Sequence, residues 1–271
     1  MNDIFQGQYA PPTNTCSLNQ LRVLNWNIKR GTNLAEIMSF IGKLEPDLCI
    51  FQEVDLNAER TGRQHVADLL AAHFRFNYVF GVEFEELSEK SEGDRTFQGQ
   101  AVLTRCEIAE TRILRFNRQS DISRPRWFLP RWAAFQQLRG GRMALVVELV
   151  VGRRQFVVYD LHLESRGDDD LRMWQLSEVV RDSRRYSKDT PVMIAGGLNT
   201  RNSRSLLRRY LLAAGFQDAR EGSRCCDTKP SGETLDWIFT RGPADCSETK
   251  VHQEIRASGR YPLSTNLTLT V

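Results

Sequence analysis

The chain has no apolar run long enough to cross a membrane. Its first residues, MNDIFQGQYAPPTNT, show neither the basic start nor the apolar stretch of a secretory signal. No membrane span and a cytoplasmic location are therefore expected. A strong charge of one sign is also lacking: 37 Lys and Arg against 34 Asp and Glu leave a formal net charge of +3, short of the basicity of a protein that coats nucleic acid. Any affinity for nucleic acid has to come from a local patch. The six cysteines, at 16, 49, 106, 225, 226 and 246, include no CxxC and no Cys/His spacing of a zinc module, and no disulfide framework is read from them. Cys49, inside DLCIF, reads as a small core residue.

What is present is ordinary globular composition, with 41% hydrophobic and 26% charged residues over 271 positions, room for one large α/β domain. Residues 1–18 are polar, carry Pro11-Pro12 and lack periodicity, so they read as a flexible tail ahead of a domain spanning 19–271. LRVLNWNI (21–28) alternates as a strand does, and NLAEIMSFIGKL (33–44) repeats as an amphipathic helix. The strand DLCIFQEV (47–54) and the helix HVADLLAAHF (65–74) follow. The middle is rich in strands: YVFGVEF (78–84), QAVLTR (100–105), AFQQLR (134–139), MALVVELVV (143–151) and QFVVYDLHL (155–163). Helices near 169–185 and 203–213 then alternate with the strands PVMIAGG (191–197), TLDWIFT (234–240) and PLSTNLTLTV (262–271). Two β-rich halves with outer helices imply a two-sheet sandwich with helices on both faces.

Five of these strands end in polar residues: Asn25 and Asn27, Gln52 and Glu53, Asp160 and His162, Asn199, and Asp236. A buried strand delivers its terminal side chain rigidly to a rim, so five such ends together point to a convergent site. Around these residues stand LNWNIKRG, PDLCIFQEVD, GQAVLTRCEI, YDLHLES, LRMWQL with Arg172 and Gln175, MIAGGLNT, LDWIF and ASGRYPLS. In this order they resemble the motifs of the endonuclease/exonuclease/phosphatase superfamily, over about residues 21–271. The resemblance implies the deoxyribonuclease-I-like fold, a four-layer α/β/β/α sandwich. It also implies Mg²⁺-dependent hydrolysis of phosphate esters, with metal ligands at Asn27 and Glu53 and catalytic residues at His162, Asn199 and Asp236.

The family pattern breaks at three positions. Gly197 stands where the G-D-x-N motif has its aspartate, and Gly259 and Arg260 stand where S-D-H-x-P has its aspartate and histidine. Glycine has no side chain to bind a metal or accept a proton, and arginine stays protonated, so neither replaces what is lost. Relative to the pattern, the site shifts by about +3 in charge, which is expected to weaken Mg²⁺ binding and favour a phosphate. Arg260 is expected to pair with Asp236. The reading is a phosphate-ester or nucleic-acid binding protein with weak or no hydrolysis. The competing reading is an active metal-dependent phosphodiesterase or nuclease using Glu53, His162 and rebuilt acidic ligands from Asp168, Asp169 and Asp170, although those three also suit the acidic first turn of a helix.

One further stretch bears on partners. Residues 111–135 interleave Arg112, Arg115, Arg118, Arg124, Arg126 and Arg131 with Phe116, Trp127, Phe128 and Trp132, a mixture that grips phosphates and stacks bases. Arg124, Arg126, Trp127 and Arg131 are the expected substrate contacts. His65, His73 and His252 have no spacing to a metal partner and read as surface residues.

Overall fold

The computed structural model describes residues 3–11, 20–87, 95–120, 138–166, 168–200, 206–221 and 227–270. In chain order its elements are β1 (Ile4–Gln8), β2 (Gln20–Arg30), α1 (Leu34–Leu44), β3 (Leu48–Leu56), α2 (Val66–Phe74), β4 (Asn77–Glu86), β5 (Thr96–Thr104), β6 (Glu107–Arg115), β7 (Leu138–Gly140), β8 (Met143–Val151), β9 (Arg154–His162), α3 (Asp169–Ser183), β10 (Val192–Gly197), α4 (Leu206–Ala213), β11 (Gln217–Asp218), β12 (Asp236–Arg241), β13 (Ala244–Val251) and β14 (Leu263–Leu269). One sheet runs β1-β4-β5-β3-β2-β14-β13, with β7 also on β4; the other runs β11-β12-β10-β9-β8-β6. Each sheet holds one parallel pair, β2 with β3 and β9 with β10, and the remaining pairs are antiparallel.

The period-2 alternation of the strands decides which way each side chain faces. In β2, Leu21 and Val23 enter the core between the sheets, whereas Leu24, Trp26 and Ile28 pack beneath α1 and α2. In β9, Phe156 and Val158 face the other sheet, and Val157, Tyr159 and Leu161 lie under α3 and α4. The result is the expected sandwich of four layers: helices, sheet, sheet, helices. Cys49 is fully buried in the first helix-side cluster, as expected of a core thiol.

Several expectations are corrected. Residues 4–8 are not a tail: they form β1, antiparallel to the edge of β4 from Ile4 opposite Gly81 to Gln8 opposite Asn77. An edge strand exposed on both sides has no apolar alternation to reveal it, and residues 12–18 of that expected tail lie outside the described residues. The strand at 134–139 begins only at Leu138, the residues before it being outside the described set. Cys106 is disulfide-bonded, where the sequence reading found no framework. Cys225 and Cys226 lie outside the described residues. His252 is not on the surface: it is 7% exposed, 4.9 Å edge-on from the Phe40 ring, with Nε2 2.7 Å from the Ser264 hydroxyl. His65 is half-buried and caps α2, accepting from the Asp68 backbone N–H at Nδ1.

Candidate functional site

The lines of side chains that fill the core between the sheets continue, at one end, into polar residues. Leu21 and Val23 lead to Asn25 and Asn27; Leu48 and Ile50 lead to Gln52; Phe156 and Val158 lead to Asp160 and His162; Met193 and Ala195 lead to Gly197. Asp236 shares the inward parity of Ile238 on β12. The first polar layer is fully buried. Gln52 Nε2 donates to Asn25 Oδ1 at 3.0 Å and, across the sandwich, to Asp160 Oδ1 at 2.7 Å, and Asn25 Nδ2 reaches the Trp237 carbonyl at 3.4 Å. Burial holds the Asp160 carboxyl well above the ordinary carboxylate range, with no cation among the described residues to offset it.

The second layer is the rim. Register slips between Phe51 and Val54, and Glu53 adopts a left-handed backbone (φ 52°), so this bulge re-aims its side chain. Glu53 Oε1 accepts from Asn27 Nδ2 at 2.8 Å and lies 3.7 Å from His162 Nε2. Asn199, also left-handed (φ 52°), donates Nδ2 to the Leu163 carbonyl at 2.6 Å. Left-handed backbone at two non-glycine residues of one rim is strain of the kind that collects at functional sites.

His162 has partners that the sequence reading missed. Arg142 Nη1 stands 2.8 Å from His162 Nδ1 and 2.9 Å from Glu83 Oε1, while Glu83 Oε2 is 3.5 Å from the same Nδ1. A guanidinium only donates and a carboxylate only accepts, so the Arg142 and Glu83 contacts ask opposite roles of the same Nδ1. Burial acts to raise Glu83, but Arg142 and His162 outweigh it and hold its carboxyl below the usual range. The signal in the sequence was slight: Glu83 interrupts the apolar run YVFGVEF, and Arg142 immediately precedes a strand.

The three departures from the motif pattern meet here. A Cβ on Gly197 would lie 3.3 Å from His162 Cδ2, 3.6 Å from Asp236 Oδ1 and 3.7 Å from Asn199 Oδ1, so the missing side chain would have stood at the centre of the group. A Cβ on Gly259 would meet nothing within 4 Å. Arg260 Nη2 donates to Asn199 Oδ1 at 3.0 Å, and its Nη1 is 4.0 Å from Asp236 Oδ2. The expected pairing with Asp236 is thus an ion pair without a hydrogen bond, and the bond goes to Asn199. The Trp26 indole N–H donates to the Arg260 carbonyl at 3.0 Å and holds this segment against the rim.

Mg²⁺ is held by one or two carboxylates and completes its shell with water and phosphate oxygens, so the half-exposed Glu53 is the residue that would hold it here, with few oxygens left beside it. Asn27 turns its amide nitrogen to Glu53 and its Oδ1 to the Lys29 N–H, Asn199 spends its oxygen on Arg260, and Arg260 places a fixed cation beside Asp236. Among the described residues no three of His, Cys, Asp and Glu are grouped to hold a metal. The acids of 168–170 do not rebuild the set: Asp168 caps α3 through the Leu171 N–H at 3.0 Å, and Asp169 pairs with Arg172 at 2.8 Å. In the basic aromatic stretch, Arg112 bonds Asp182, Arg115 bonds backbone carbonyls, Phe116 is core, and Arg118 lies 3.7 Å over the Trp174 ring. Arg124, Arg126, Trp127 and Arg131 lie outside the described residues. No helix among the described residues is long and apolar enough to cross a membrane.

Comparison with known proteins agrees with this architecture. Residues 24–257 match the model of the Endonuclease/Exonuclease/phosphatase family. The human Nocturnin catalytic domain, solved with bound sulfate, superposes with a TM-score of 0.71 at 14% identity, covering 100% of this chain and 97% of that one. An endonuclease/exonuclease/phosphatase from Beutenbergia cavernae gives 0.66 at 16% identity, covering 93% of this chain and 72% of that one. A humanized D. rerio TDP2 gives 0.61 at 16% identity, covering 92% and 99% respectively. No curated protein sequence matches the chain.

Proposed function

Because the chain belongs to the Endonuclease/Exonuclease/phosphatase family, we propose that it binds phosphate esters, or nucleic acid through its phosphates, with weak or no hydrolysis. The observation that carries this reading is the Arg260 guanidinium, bonded to Asn199 and facing Asp236 among residues to which family resemblance gives a metal and a proton-transfer role. The unit concerned is the domain of residues 19–271, to which β1 is added. Arg260 is a cationic donor at the rim, and such a donor recognises oxyanions. The sulfate held by the Nocturnin catalytic domain, a tetrahedral oxyanion of phosphate's shape, supports the same ligand class.

The loss of proton-transfer groups accounts for the absence of turnover in this reading. One general acid-base step supplies about 10²–10⁴ in rate, and the members of one catalytic unit do not act additively. Restoring Gly197→Asp, Gly259→Asp and Arg260→His together tests it, with a bis-aryl phosphodiester assayed in Mg²⁺. The unaltered chain is expected to be silent, and the triple variant to gain measurable turnover. Mg²⁺-dependent hydrolysis by the unaltered chain, abolished by Glu53→Gln, would overturn the reading in favour of an active phosphodiesterase.

A further inference from the structure

One sheet ends in β1 and β13 and the other in β11 and β6, with β7 also at the edge of β4. An edge strand presents unpaired N–H and C=O groups to other chains, and charged side chains are the usual guard against pairing there. β6 carries two glutamates and two arginines, β13 an aspartate, a glutamate and a lysine, and β7 an arginine, while β11 is only two residues long. β1, IFQGQ, has no charge at all. Its backbone parity is fixed by the Val82 N–H, which donates to the Asp3 carbonyl at 3.0 Å. Residues 3, 5 and 7 therefore turn their groups to β4, and Ile4, Gln6 and Gln8 turn theirs outward.

The side chains of this segment are exposed yet held in place. Phe5 is 37% and Tyr9 41% exposed on the α2 side of the sheet. Phe5 rests against the rings of Phe80 and Phe97, and Tyr9 stacks on Tyr78 and donates its hydroxyl to Asp68 at 2.7 Å. On the opposite side Gln6 and Gln8 line a cleft of about 470 Å³ shared with β6. The order Phe-Gln-Gly-Gln-Tyr is self-complementary in antiparallel pairing about Gly7: Phe5 falls opposite Tyr9, Gln6 opposite Gln8, and Gly7 opposite itself. Gln6 and Gln8 are then the residues that exchange backbone bonds, as their outward groups require, and the aromatic residues and glycines fall at the non-bonded positions, where the chains come closest. Gly7 has no side chain to obstruct that approach, and a Cβ there would lie 2.5 Å from Tyr78 Cε1. We propose that β1 pairs antiparallel with β1 of a second copy of this chain, about a two-fold axis at Gly7, joining the larger sheets of two copies into one. Such an isologous contact closes at two chains. It covers Phe5 and Tyr9 of both copies, and because β1 meets β4 over Asn77–Gly81 it leaves the rim at Glu83 and His162 open.

Sedimentation equilibrium of the full chain over about 1–300 μM, the range of weak to moderate interfaces, tests it. The average mass is expected to rise from one chain toward two and no further. Gln6→Pro removes an outward N–H without touching the β4 ladder, and is expected to raise the dimer Kd about tenfold or more, the effect of one backbone bond lost on each side of the axis. Gln6→Lys with Gln8→Lys sets like charges opposite one another and is expected to give monomers. Gln6→Lys with Gln8→Glu sets opposite charges against each other in the same register and is expected to restore the dimer. Slow amide exchange within Asn77–Gly81 confirms that β1 stays on β4 in each variant. The mass of one chain at every concentration overturns the proposal, as does a dimer indifferent to Gln6→Pro and to the paired lysines. Failure of the lysine and glutamate variant to associate overturns the register about Gly7, and a mass that grows beyond two chains overturns the closed two-fold pairing.

Discussion

Asp160 and Glu83 are both fully buried, yet they respond to pH with opposite signs because only one has a cation. Glu83 is bonded by Arg142 and held below the usual carboxylate range, so its contribution is present above the pKa of the unfolded chain and fades as pH falls through the folded value. Asp160 has only the Gln52 amide and is pushed well above that range, first by burial. Over the interval between the unfolded and folded values the native state keeps a proton that the unfolded chain has released, so stability falls as pH rises through it. Asp160→Asn keeps the acceptor for Gln52 and removes the ionisable group. The variant is expected to melt roughly 2–4 °C higher than the unaltered chain at pH 8, the shift that about 1 kcal/mol produces in a chain of this size, with the advantage shrinking toward pH 4. Thermal melts of both proteins across that range check it, and a constant difference at every pH would count against a neutral Asp160.

At the scale of elements, legibility followed burial. β2, β3, β9, β10 and β12 could be read because each has an inward apolar line whose period is that of a strand, and the rim residues continue those lines. β6, β13 and β1 could not, because EIAETRILR, ADCSETKV and IFQGQ are strands with largely exposed or half-buried residues and no apolar face to set a register. β1 nevertheless covers the edge of β4, and Phe5 meets the rings of Phe80 and Phe97 at 6.2 and 6.3 Å. An uncovered edge exposes backbone donors and acceptors to other chains. Removal of residues 1–11 is therefore expected to speed amide hydrogen exchange tenfold or more within Asn77–Gly81, while the centre of β3, shielded by β2 and β5, is unaffected. Unchanged exchange at those positions would mean that β1 adds no protection.

For the whole molecule, the end of the sandwich that carries the site is also where the two sheets are tied by polar bonds. Gln52 on β3 reaches Asp160 on β9, Asn25 on β2 reaches the Trp237 carbonyl on β12, and Arg142, just before β8, joins Glu83 on β4 to His162. The sequence located most of these residues as strand ends, but their partners depend on which strands oppose one another, a long-range fact that no local pattern carries. Arg260 is the clearest case: charge alone favoured Asp236, and the backbone of Asn199 brought a nearer acceptor. The core between the sheets draws on both, with Val23, Ile50 and Val102 from one and Leu145, Val158 and Ile238 from the other. Neither sheet can therefore lose its packing without exposing the apolar face of its partner, at about 25 cal/mol per Å² uncovered. Heat unfolding is thus expected to be one transition, with far- and near-ultraviolet circular dichroism coincident and calorimetric and van't Hoff enthalpies equal, despite a length at which intermediates become common. A first transition that removes tertiary signal while half of the strand signal persists would show that the polar ties, and not the shared core, set the unit of folding.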